Sequence, residues 1–191
     1  EEHSTGQVEQ PSISGDCVQR IAGRRVALFL GQVMVDASII MDGGDFKDPI
    51  DLIARCVKYF EMQPDWYLII RLHPKESKGR NWVNTIDSFG VPPGEPEGPL
   101  FYNDLTGRML VERLGSTRGP HYEIVSDVGI STDELMKLAE VGITITSQAG
   151  FEMAMKHKRT VVCGDAFYAR KGFTYDVERG SQLEATLEEA I

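Results

Sequence analysis

A small-residue turn, Ser147-Gln148-Ala149-Gly150, lies between an apolar β-branched run, Ile143 to Thr146, and a stretch with Phe151, Ala154 and Met155 at helical spacing. Strand, turn and helix in that order leave backbone N–H groups open at the positive end of the helix dipole. A phosphate fits there, and Gly150 would let it approach the main chain. A second set, His73-Pro74-Lys75, closes the apolar run Trp66 to Leu72. Pro74 cannot continue a central strand ladder and biases His73 toward extended backbone, so His73 should stand at the strand's carboxyl end. His73 and Lys75 are of the right types to stabilise charge on a leaving phosphate without a metal. Asp42 and Asp45 are poor metal candidates, because no further ligand follows at a recognisable spacing.

Each of these residues also has a structural reading. His73 can be a hydrogen-bonded residue at a strand end, the Ser147 turn a plain connection, and Glu152 a first-turn acid favourable to its helix N-terminus. Lys156, Lys158 and Arg159 sit where cations complement the helix's C-terminal end. Tyr168 reads as packing, and Asp36 and Ser38 can cap or brace their loop. Arg71, Lys75, Lys78 and Arg80 form a basic cluster that is either a solvated face or a flank to the phosphate.

The elements that must position these groups alternate. The patterns predict strands at 25–31, 66–72, 121–126, 142–147 and 160–164, and helices at 48–62, 131–140 and 149–157, with a helix-like run from Leu183 to Ile191. Asp48-Pro49 supplies an N-cap with proline at the first helical position, and Ser131 with Glu134 a capping box. Residues 1–23 read as a polar tail or linker, 33–46 as a loop of functional size, and 77–120 as a Gly/Pro-rich excursion carrying a helix. Residues 24–191 then form one α/β Rossmann-like domain, a doubly wound and mostly parallel sheet that takes ligands beyond the strands' carboxyl ends. Those ends bring together Gly31-Gln32, His73-Pro74-Lys75, Ser126-Asp127, Ser147 to Gly150 and Gly164-Asp165.

Composition narrows the ligands. With 191 residues, 41% hydrophobic, the chain can bury a sizeable core, and a net charge of -9 argues against nucleic acid while leaving room for a local anion pocket. Cys17, Cys56 and Cys163 show no metal spacing and read as buried thiols in a reducing compartment. No apolar run approaches the roughly 18 residues of a membrane span. The expected location is cytoplasmic, with peripheral docking at the inner membrane left open. The first residue is not Met and the last lie in a helix-like run, so a longer gene product is expected.

A resemblance emerges from the ordered set Arg71-Leu72-His73-Pro74, Thr146-Ser147-Gln148-Ala149-Gly150-Phe151-Glu152, Val161-Val162-Cys163-Gly164, Phe167-Tyr168-Ala169 and Gly172-Phe173-Thr174. Together these resemble the capsule polysaccharide biosynthesis family, whose best understood members are retaining β-Kdo glycosyltransferases using CMP-β-Kdo. Gly31-Gln32-Val33 with Asp36 and Ser38 is similar to that family's first strand and loop.

The resemblance implies a GT-B architecture, of which this chain is the C-terminal, nucleotide-binding half, with the acceptor half missing and no cofactor beyond the CMP-sugar substrate. It implies that His73 is catalytic and, with Pro74 and Lys75, meets the CMP phosphate. Ser147, Gln148, Ala149 and Gly150 would form the phosphate turn, Glu152 would reach the ribose, Gln32 would line the site, and the cytosine would lie against the loop at Ser126 and Asp127. The expected partners are a nucleotide-sugar donor and a glycan or glycolipid acceptor. Two other readings stay open: a UDP-sugar epimerase-like half, and a non-catalytic assembly module for polysaccharide export.

Overall fold

Strand β1, Arg25–Leu30, is apolar on both faces because both faces are covered: Ala27 and Phe29 enter one core cluster, and Val26, Leu28 and Leu30 enter the other. The computed structural model describes residues 15–34, 36–74, 105–125 and 130–191. Within them β2 is Trp66–Arg71, β3 Tyr122–Val125, β4 Val141–Thr144, β5 Arg159–Val162 and β6 Tyr175–Asp176. The sheet order is β3-β2-β1-β4-β5-β6 and every pairing is parallel, with Leu28 opposite both Ile69 and Gly142. This is a doubly wound sheet, and its order reverses between β1 and β4.

Helices cover both faces. Helices α1 (Gly15–Ile21), α2 (Ala37–Asp42), α3 (Pro49–Glu61), α4 (Leu105–Leu114), α5 (Thr132–Leu138), α6 (Gln148–Met155) and α7 (Leu183–Ala190) are seen among the described residues. Helix α3 starts as its sequence predicts: the Asp48 carboxylate accepts from Ile50 N at 2.9 Å and Asp51 N at 3.2 Å, and Ile53, Cys56, Val57 and Phe60 are buried on one stripe. Replacing Asp48 with alanine should cost about 1 kcal/mol of folding stability, read in a urea titration, and an unchanged midpoint would deny the cap that role. Ser131 and Glu134 form the expected capping box of α5.

Two expectations need correction. The 33–46 segment is not an open loop: the Asp36 carboxylate accepts Ser38 N–H at 3.0 Å and starts α2, Ile39 is fully buried, and a 3-10 turn follows at Gly44–Phe46. The supposed tail ends in α1, because Cys17 enters the core and Arg20 pairs with Glu123 at 2.6 Å. All three cysteines are buried and free, and burial pushes the Cys17 thiol up to about 11 and the Cys56 thiol up to about 12. Strand β6 escaped the sequence reading altogether. It is two residues long and held by pairing to β5, too short to carry a period.

Basic residues near α6 tie elements together. Lys156 reaches Asp133 on α5 at 2.8 Å, and hydrogen bonds from Lys137 and Lys156 hold the Asp133 carboxyl down at about 2. Arg159 bonds the Ile191 carbonyl at 3.0 Å.

Candidate functional site

Strand order reverses between β1 and β4, the switch point beyond whose carboxyl ends doubly wound sheets take ligands, and the two strand ends are stitched together there. Gln32, which follows β1, is 9% exposed. Its Oε1 accepts Thr146 N–H at 2.8 Å, and its Nε2 donates to Thr146 Oγ1 at 3.0 Å and to Ser38 Oγ at 3.1 Å. Ser38 Oγ donates in turn to Asp36 Oδ1 at 2.9 Å and lies 3.0 Å from Thr146 Oγ1. Both amide hydrogens and the carbonyl of Gln32 are therefore engaged within the protein. Gln32 thus ties the end of β1 to the residues after β4.

One residue further, Ser147 caps α6, its Oγ accepting from Ala149 N at 3.2 Å. Ser147 N–H donates to Thr144 Oγ1 at 3.2 Å, and Gly150 N–H to the Ser147 carbonyl at 3.0 Å. An anion here would meet Gln148 N–H, the first of the helix, and compete with the Ser147 hydroxyl for Ala149 N–H.

Gly150 has a different reason for being glycine than the one expected. It is buried, and a Cβ on it would lie 2.3 Å from the Tyr168 hydroxyl and 2.5 Å from Thr144 Cγ2. Its open side is filled by protein, not left for a ligand. Tyr168, 1% exposed, donates from its hydroxyl to the Ser147 carbonyl at 2.6 Å, and burial pushes its phenol up, so it stays a proton donor in the neutral range. Tyr168 is packing, as its sequence reading had it, but packing that holds the cap residue. Glu152 is exposed and stands fifth in α6, beyond the first turn, which removes its reading as a first-turn acid.

His73 and Pro74 stand just past β2, after Leu72, and are half-buried; the Leu72 N–H still pairs with the Val125 carbonyl at 3.0 Å, so the ladder runs up to the residue before His73. Arg71 is not on a solvated face: it is 3% exposed, with Nη1 3.5 Å from the Val125 carbonyl. Lys75, Lys78, Arg80, Ser126 and Asp127 lie outside the described residues. Asp45 accepts Gly180 N–H at 2.7 Å, and no trio of metal-ligating side chains gathers among the described residues.

The structure thus brings Gln32, Ser147, Gln148, Ala149 and Gly150 to adjoining strand ends, with His73 and Pro74 one strand further, on β2. Sequence reasoning placed Thr146 in the strand and in the motif but gave it no part in the site, where it bonds Gln32. Its signal was a polar, hydrogen-bonding residue closing an apolar strand just before the turn.

The family model described as capsule polysaccharide biosynthesis protein matches residues 3–189. The chain belongs to the capsule polysaccharide biosynthesis family. Among solved structures, it is similar to the β-Kdo 2,7 transferase of Thermosulfurimonas dismutans KpsC, with 19% identity and a TM-score of 0.52 over 92% of this chain and 50% of that one. It is also similar to the β-Kdo 2,4 transferase of the same KpsC, with 19% identity and a TM-score of 0.54 over 87% of this chain and 44% of that one. No curated protein matches. The chain spans about half the length of these structures, and at such identities the likeness speaks for the fold: a Rossmann-like domain of the kind that forms half of a GT-B glycosyltransferase. Among the described residues no helix is long and apolar enough to cross a membrane.

Proposed function

We propose that this member of the capsule polysaccharide biosynthesis family is the donor half of a glycosyltransferase, binding a CMP-activated, Kdo-like sugar at the crevice between β1 and β4. The observation that carries the reading is the Ser147-capped N-terminus of α6, held at the switch point by Gln32 and Tyr168 and separated by β1 from β2, which His73 follows. Oriented N–H groups and a histidine suit a leaving phosphate, whose charge grows as the glycosidic bond breaks. In this reading His73 and Lys75 meet the phosphate, and Glu152 reaches the ribose. Ser126 and Asp127, which follow β3 in the sequence, read the base. No cofactor is required. The acceptor is a glycan or glycolipid held by a second half, on this polypeptide or another, with the pair working in the cytoplasm against the inner membrane surface.

Titration calorimetry with CMP, UMP and ADP tests this. CMP should bind in preference to the others, and His73→Ala should weaken it roughly tenfold or more, the loss of a hydrogen bond to a charged group. Preference for UMP would move the assignment to an epimerase-like half. No binding by any of the three, with folding intact, would favour an assembly module.

A further inference from the structure

Three aromatic rings meet beside the Ser147 turn. Phe167 stands edge-on to Tyr168 with centroids 5.0 Å apart and tilts against Phe151 of α6 at 5.4 Å, while Phe151 and Tyr168 are 5.7 Å apart. Two neighbouring rings hold Phe167, yet it is 69% exposed. Its neighbour Tyr168 is the residue that bonds the Ser147 carbonyl, so the ring's backbone is tied directly to the cap of α6. The surroundings are charged: Arg170 pairs with Asp165, and Arg170 N–H donates to Asp176 Oδ2 at 3.0 Å. Asp165 N–H is bonded to the Asp42 carbonyl at 2.7 Å, which anchors the start of this loop to the end of α2 at the same edge of the sheet.

We infer that Phe167 is the platform on which the glycosyl group of the donor stacks. The inference rests on the donor-site reading above and adds a subsite to it. An exposed aromatic ring is an apolar surface whose faces carry negative quadrupole, and it attracts the polarised C–H face of a sugar ring. The charged border of Asp165 and Arg170 suits the hydroxyl and acid groups around such a ring. Position along the sheet agrees. With the phosphate at the end of β4 and the base toward β3, as the donor-site reading has them, the β5 side of the sheet, which Phe167 follows, is left for the sugar.

The test compares CMP with CMP-Kdo by calorimetry on the wild-type chain, Phe167→Ala and Phe167→Tyr. CMP affinity should be the same in all three. Affinity for CMP-Kdo should fall about tenfold in Phe167→Ala and recover in Phe167→Tyr, which keeps the ring. A purely structural role would change both ligands alike, so equal loss for CMP and CMP-Kdo, or no loss for either, overturns the platform while leaving the donor site standing. If the wild-type chain binds neither ligand, the donor reading itself falls, and the platform with it.

Discussion

Gly150→Ala should lower the melting temperature by about 5–10 °C, which for a chain of this size corresponds to about 2–3 kcal/mol of overpacking. The new methyl would sit 2.3 Å from the Tyr168 hydroxyl and 2.5 Å from a Thr144 methyl, and both side chains are buried with little room to retreat. Part of the damage is specific to the hydroxyl. In a Gly150→Ala, Tyr168→Phe double variant the contact with oxygen disappears, while the Ser147 carbonyl has already lost its donor. The two substitutions should therefore combine to less than their sum, by at least about 1 kcal/mol. Strict additivity in thermal unfolding would mean that the glycine and the tyrosine are not one packing unit.

Gln32→Leu should cost about 1–3 kcal/mol, although leucine nearly matches glutamine in volume. The substitution takes the acceptor from Thr146 N–H, a loss of about 1–3 kcal/mol for a polar group left without a partner, while the Thr146 and Ser38 hydroxyls keep each other and Asp36. Thr146→Ser is the matching control: it keeps the hydroxyl and should lose well under half as much. Urea unfolding of the two variants decides it, and a Gln32→Leu midpoint within error of the parent would show that the stitching carries no stability.

The sheet was legible because a strand covered on both faces must be apolar throughout. Val26 to Leu30 and Tyr67 to Ile70 advertise that directly, and Asp48-Pro49 and Ser131 with Glu134 mark helix starts by local chemistry that needs no tertiary context. Helix α2 was missed because it is six residues long and its cap, Asp36, sits among other loop-forming residues. Helix α1 was missed because the feature that orders it, Arg20 bonded to Glu123, joins residues 103 positions apart. The site divides in the same way. The Ser147 turn could be read from its own residues, whereas the reason for Gly150 lies in Tyr168, and the reason for Gln32 in Thr146.

The span between those last two residues governs how the site comes into being. Gln32 and Thr146 are separated by 114 positions, and the chain between them carries β2, β3 and α5 before it returns to pair β4 beside β1. Such a closure has a large loop entropy and follows the local pairings, so the crevice is assembled at a late stage of folding. While the chain is being synthesised, the β1–β2 ladder can form as soon as residue 71 is free, but Gln32 has no Thr146 to bond until β4 and the turn after it arrive. A nucleotide that binds the crevice would then act as a clasp on the last-formed seam, slowing its reopening more than it hastens its closure.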